Sequence, residues 1–166
     1  MEAGLKFIAD IMVGKLARYL RMCGYDVVYD NYLDDASIVK IAVQQSRIIL
    51  TRDALMLQRK DCRNNIISSL FIESSRLEDQ LRQVKSVFDI KLEPKLIRCI
   101  ECNSLLEHAD RNELEDKVPP YVYRTQNTFL FCQKCNKYYW RGTHYDNILK
   151  AFKIVSSSEL ERSDGS

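Results

Sequence analysis

Between Lys6 and Val87 short apolar runs alternate with amphipathic stretches: KFIAD, GKLARYLRMCG, YDVVYD, DDASIVKIAVQQS, RIILTRD, ALMLQRK, IISSLFIES and LEDQLRQVKSVF follow one another. Runs rich in Ile, Val, Phe and Tyr separated by helical periodicity predict β-α-β-α units, and hence a parallel sheet covered on both faces. Right-handed crossovers make this an α/β/α three-layer sandwich of about four or five strands. The stretch from Lys91 to Ile97, with Pro94 among charges, reads as a linker, so residues 1–92 form a first domain. Beyond it the periodicity gives way to cysteines and aromatics, in RCIECN and VPPYVYRTQNTFLFCQKCNKYYW. A last amphipathic piece, from His144 to about Val155, carries Ile148, Leu149, Phe152 and Val155 on one helical face and closes a second unit over residues 93–155. The polar SSSELERSDGS, residues 156–166, is expected to be a disordered tail.

Composition narrows the partners. With 166 residues, 46% hydrophobic, and 25 Lys plus Arg against 23 Asp plus Glu, the chain is ordinary globular protein and its net charge is only +2. No global field advertises a nucleic acid, so any such partner must be held by a local patch. The start, MEAGLKFIAD, lacks the features of a secretory signal, and no run approaches the ~18 apolar residues of a membrane span. The expectation is a soluble, cytoplasmic protein with no membrane partner.

Four of the six cysteines form two CxxC pairs, Cys99 with Cys102 and Cys132 with Cys135. Four thiolates converging at ~2.3 Å on one Zn²⁺ make a structural zinc ribbon. Buried free thiols or two disulfides are the alternatives, but a CxxC disulfide is strained, and neither pair opens a helix after a strand as a redox motif would. With no open coordination position, this zinc holds the fold and performs no chemistry. Cys23, before Gly24, reads as a small buried residue.

Three acids mark three strand ends. Asp10 ends the first strand and Asp53 follows the third, while Asp34 and Asp35 open the helix after the second. Ligands of open parallel sheets bind outside these carboxyl ends, so the acids share one edge. Carboxylates gathered there need a cation, and Mg²⁺ or Mn²⁺ is the natural hard ion; such a site polarises a phosphodiester, which is nuclease chemistry. Asp is also a favoured helix cap: Asp34 suits that role at least as well as a metal, Asp53 suits both, and Asp35 is ambiguous. Asp10 differs, since a cap for the helix it precedes would be served later, by Gly14 or its neighbours. Lys15, Arg18 and Arg21 follow Asp10 at helical spacing and could hold phosphate or could form a solvated face.

The combination of KFIADIMVGKLARYLRMCGYDVVYD, DDASIVKIA, RIILTRD, the two CxxC pairs, DKVPPYVY and YYWRGTHYDNI resembles the Mut-seven C-terminal ribonuclease domain family, from Lys6 to about Phe152. The resemblance implies a PIN-like α/β/α sandwich followed by a zinc ribbon, and metal-dependent hydrolysis of RNA. By position it implies Asp10, Asp35 (or Asp34) and Asp53 as the catalytic acids and ligands of Mg²⁺ or Mn²⁺. Many PIN-like nucleases carry a fourth acid after the next strand; here FIESSRLEDQL offers Ser74, Ser75 and Arg76, with Glu73 as the nearest substitute.

The ribbon is dense in aromatics: Tyr121, Tyr123, Phe129, Tyr138, Tyr139 and Trp140 precede His144. Such side chains can stack unpaired bases, although a small ribbon also needs most of them to cover itself. Lys134, Lys137 and Arg141, with His144, give it a basic edge suited to RNA. Single-stranded or loop RNA, including tRNA or rRNA, is the expected partner, with a second copy or a regulatory protein as further candidates. The rival reading is a non-catalytic RNA- or ribosome-binding module. A receiver-type phosphotransfer domain would need paired acids where Asp10 is followed by Ile11, and a haloacid-dehalogenase-like phosphatase would need an acid where Met12 stands.

Overall fold

A computed structural model describes residues 4–163. The first domain runs β1 (Lys6–Ala9), α1 (Gly14–Met22), β2 (Asp26–Val28), α2 (Asp35–Gln45), β3 (Ile48–Thr51), α3 (Ala54–Leu57), α4 (Lys60–Arg63), β4 (Ser69–Phe71) and α5 (Leu77–Phe88). The four strands form one parallel sheet in the order β2-β1-β3-β4. Phe7, Ile8 and Ala9 of central β1 are all buried, as a strand covered on both faces requires. Alternation sends them opposite ways: Phe7 and Ala9 join Leu16 and Leu20 of α1 and Leu81 and Val84 of α5, while Ile8 joins Ile38 and Ala42 of α2 and Met56 of α3. The result is the expected α/β/α sandwich, at the four-strand end of the expected range.

The second unit is a three-stranded antiparallel sheet of β5 (Glu107–His108), β6 (Leu130–Cys132) and β7 (Lys137–Tyr139), with the short helix α6 (Pro120–Thr125) between β5 and β6. Its own core is three buried residues, Leu114, Val118 and Phe129, over which Tyr123, Tyr138 and Trp140 pack, so much of its aromatic density is structural. Helix α7 (Thr143–Ser163) closes the chain and belongs elsewhere: Ile148, Phe152 and Val155 insert into the sandwich core beside α1 and α5. The helix also runs beyond Val155 into the stretch expected to be a disordered tail. No Gly or Pro interrupts residues 156–163, and the Ser156 and Ser157 hydroxyls donate to the carbonyls of Phe152 and Lys153 one turn back. Residues 164–166 of that tail lie outside the described residues. Among the described residues no helix is long and apolar enough to cross a membrane.

The two units are welded at the start of β2. Asn103 accepts from the Val27 N–H at 3.0 Å and donates to Asp26 Oδ1 at 2.7 Å. Arg21, only 1% exposed, donates to the carbonyls of Val27, Tyr29, Ile100 and Glu101. This corrects the expectation that Arg21 holds RNA: it is a buried tie between sandwich and ribbon. Replacing it by Met keeps the bulk but leaves four carbonyls without their donor, and is expected to destabilise the chain by roughly 3 kcal/mol in chemical denaturation.

Burial would raise the pKa of Asp26, but the Arg47 guanidinium at 2.7 Å and the Asn103 amide outweigh it and hold the carboxyl below its ordinary value. Its contribution is therefore present above the unfolded pKa of about 3.9 and is lost as pH falls through the lower folded value. In acid titrations of stability, Asp26→Asn should flatten that limb.

Candidate functional site

Asp10 follows β1 directly and is 4% exposed. Three donors meet its carboxylate: Oδ1 accepts from the Met12 N–H at 2.7 Å, and Oδ2 accepts from the Thr51 hydroxyl and from the Arg52 N–H at 3.1 Å. The Met12 contact caps a 3-10 turn over Ile11–Val13, which the Val13 N–H closes on the Asp10 carbonyl, so Asp10 is itself a cap, contrary to the expectation that Gly14 or its neighbours would serve instead. Gly14 has a different use: a Cβ there would strike the phenol of Tyr29, which packs over the start of α1.

Thr51 couples two strand ends. Its hydroxyl donates to Asp10 and accepts from the Asp53 N–H at 2.9 Å. Asp53 is half-buried and caps α3 through Oδ1, which accepts from the Leu55 N–H at 2.8 Å; among the described residues Oδ2 has no hydrogen-bond partner. Sequence reasoning passed over Thr51, yet a polar residue at the buried end of a strand, just before Arg52 and Asp53, is a readable signal. Arg52 reaches the carbonyls of Ile72 and Glu73 beyond β4, as a side chain alternating away from the acids would.

The acids after β2 divide. Asp34 is exposed and caps α2, accepting from the Ser37 N–H at 2.8 Å; its bonds to the Ser37 hydroxyl and backbone hold its pKa below the ordinary carboxylate value. Asn caps as well as Asp, so Asp34→Asn should leave the melting temperature close to that of wild type when the two are unfolded side by side. Asp35, in the first turn, pairs with Arg59 at 3.5 Å. After β4, Asp79 on the first turn of α5 accepts from the Ser74 hydroxyl at 3.0 Å and pairs with Arg82 at 2.7 Å; sequence reasoning had weighed only Glu73.

Among the described residues no three of these carboxylates lie within 4.8 Å of one another. The donor chemistry still suits one hard divalent ion. A carboxylate offers about four acceptor positions, of which Asp10 uses three, and Asp53 keeps Oδ2. Mg²⁺ is commonly held by one or two carboxylates with substrate phosphate completing its shell.

The four cysteines do converge: their Sγ atoms all lie within 4.8 Å of one another. Cys99 to Cys135 is 3.8 Å and Cys102 to Cys132 is 3.5 Å. A tetrahedron with ~2.3 Å Zn–S bonds has S···S edges of roughly 3.8 Å, so the donor set fits zinc, and these gaps are far longer than a disulfide bond of about 2.05 Å. Against burial, the Ser104 hydroxyl and backbone, then Cys135 and Cys132, bring the Cys102 thiol down to about 6. Burial and the neighbouring cysteines push Cys135 up to about 12 and raise Cys132 as well. Four sulfurs so close ionise together only around a cation. Each pair is followed by an asparagine in the left-handed region, Asn103 at φ 70° and Asn136 at φ 54°, the turn that folds the knuckle back; CxxCN repeated is the signal for it. The Tyr139 hydroxyl lies 3.0 Å from Cys99 Sγ, and burial together with that sulfur raises its pKa. Cys23, buried and pushed up to about 12 by burial, is the small core residue expected.

The basic residues are scattered. Lys15 is exposed on the first turn of α1, and Arg18 pairs with Glu101 of the first knuckle at 3.5 Å. Lys134, Arg141 and His144 are exposed on the ribbon and the start of α7, with the Arg141 guanidinium 5.5 Å from the ring centre of Tyr145.

A family model described as Mut7-C RNAse domain matches residues 5–152. No curated protein and no solved structure matches the chain.

Proposed function

We propose that this chain, which belongs to the Mut7-C RNAse domain family, hydrolyses phosphodiester bonds of single-stranded or loop RNA, such as exposed stretches of tRNA or rRNA, at the carboxyl edge of its parallel sheet. The observation that carries this reading is the Thr51 hydroxyl, which at adjacent strand ends donates to the Asp10 carboxylate and accepts from the main-chain N–H of Asp53. Asp10 and Asp53, joined by Asp35 from the start of α2, would hold Mg²⁺ or Mn²⁺. Such an ion, when bound, polarises a phosphodiester and lowers the pKa of water.

The chain's own contribution is preorganisation. Three donors fix the Asp10 carboxylate, so it needs no reorganisation when substrate arrives. Asp35 pairs with Arg59 at 3.5 Å and would exchange that exposed partner for the divalent ion. Lys15, on the helix that begins beside Asp10, can hold a neighbouring phosphate. Ile11, Met12 and Leu55, exposed next to the two central acids, offer apolar surface to unstacked bases.

One observation favours the rival reading of a non-catalytic RNA-binding module: Asp10, Asp34 and Asp53 each cap a helix, and Asp35 is already paired. Incubating the zinc-loaded chain with end-labelled single-stranded RNA separates the two. Added Mn²⁺ or Mg²⁺ should start cleavage, and Asp53→Asn should lose it. Simple omission of the divalent ion is the right control, since a chelator would also strip the ribbon. Binding with no cleavage in either metal would favour the module.

A further inference from the structure

A groove of about 540 Å³ runs along the ribbon, between the linker at residues 95–97 and the strands β5, β6 and β7. One wall carries Tyr139 and Trp140, another Gln126, Asn127 and Thr128, and Lys95 and Arg141 stand at it, both exposed. None of the residues lining it is acidic, in a chain with 23 Asp and Glu, so its charged lining side chains, Lys95 and Arg141, are both cations. Lys134 and His144, the ribbon residues singled out from the sequence with Arg141, do not line it.

We propose that this groove is a nucleotide subsite that takes one unpaired RNA base against Trp140, with its phosphates on Lys95 and Arg141. The fit rests on three complementary features. An indole backed by Phe129, whose ring centre lies 6.4 Å away, is a firm stacking surface. The Gln126 side-chain amide, and the N–H₂ of Asn127, whose oxygen accepts from Arg111 at 3.2 Å, can pair with the polar edge of a base, which is accessible only when the base is unpaired. The two cations supply backbone attraction in a lining that contains no acidic residue. The wall is also anchored, because Tyr139 touches Cys99 Sγ, so the groove's shape depends on the knuckles. The proposal takes from the proposed function only the identity of the polymer as RNA, and it does not depend on cleavage.

Trp140 is the sole tryptophan of the chain, which makes its emission a local reporter. Titrating the zinc-loaded full chain, without added Mg²⁺ or Mn²⁺, with octauridylate and octaadenylate should quench that emission saturably, while an eight-base-pair RNA duplex should not. With labelled oligonucleotide and anisotropy detection, Trp140→Leu should weaken binding by about tenfold or more, and Trp140→Phe, which keeps a ring, should restore most of it. Lys95→Gln should lower the slope of log K against log salt by roughly 0.7. Unchanged emission on saturation, or Trp140→Leu binding like wild type with zinc retained, overturns the subsite. Quenching in a chain that never cleaves RNA would sustain the subsite while removing the catalytic reading. Cleavage without quenching would do the reverse.

Discussion

Asp10→Asn is expected to lower RNA cleavage by roughly 10²–10³ while the chain stays folded. Asparagine matches the shape of the carboxylate but must turn an amide N–H₂ toward one set of donors. Facing it to Met12 opposes one N–H; facing it to Thr51 and Arg52 opposes two, and Thr51 is already accepting from Asp53. The first orientation is therefore preferred, at a cost of about 1–3 kcal/mol in stability. Loss of turnover far beyond what that destabilisation explains, with urea unfolding still cooperative, is the expected pair of results. Turnover at the wild-type rate would remove Asp10 from the chemistry and leave it a cap.

Removing zinc, or replacing Cys99 by serine, is expected to melt the ribbon outright. Its three buried core residues cannot hold a fold unaided, whereas four-ligand zinc sites contribute ~10–16 kcal/mol of apparent binding energy. The damage should spread, because the carbonyls of Ile100 and Glu101 receive Arg21, and Asn103 grips Asp26 and Val27. Circular dichroism and metal analysis would show one zinc per chain, loss of ribbon structure on chelation, and a lowered melting point for the remaining sandwich. A chain that purifies without zinc and keeps the same melting profile would contradict the site.

What the sequence made legible follows from how local each cause is. Apolar runs such as KFIA and RIIL announce buried parallel strands because burial on both faces leaves no polar alternation to confuse them. The cysteine pairs announce their site because a metal's ligand spacing is short-range in each knuckle. Asp10 was readable as an acid at a strand end, but its capping turn depends on Thr51 and Arg52, some forty residues away in the chain and adjacent only once β1 pairs with β3. Arg21 was misread for a geometric reason. Steps of three residues each fall short of a full turn, so from Lys15 to Arg21 the helix face drifts by about 120°, far enough to carry the side chain from solvent into the seam with the ribbon. The assignment of the last helix to the ribbon failed similarly, since Ile148, Phe152 and Val155 give the apolar face but not the surface that it meets.

In the proposed reaction water, delivered at the acid edge, is the nucleophile. End chemistry of the products tests it most directly: single-stranded RNA cut in Mn²⁺ by wild type and by Asp10→Asn, purified in parallel, with both termini of every fragment identified. Attack by water with the 3′-oxygen as leaving group predicts 5′-phosphate and 3′-hydroxyl ends from wild type and almost no product from the variant. Fragments ending in 2′,3′-cyclic phosphate, in equal yield from both proteins, would mean that the ribose hydroxyl is the nucleophile and that the acid edge takes no part.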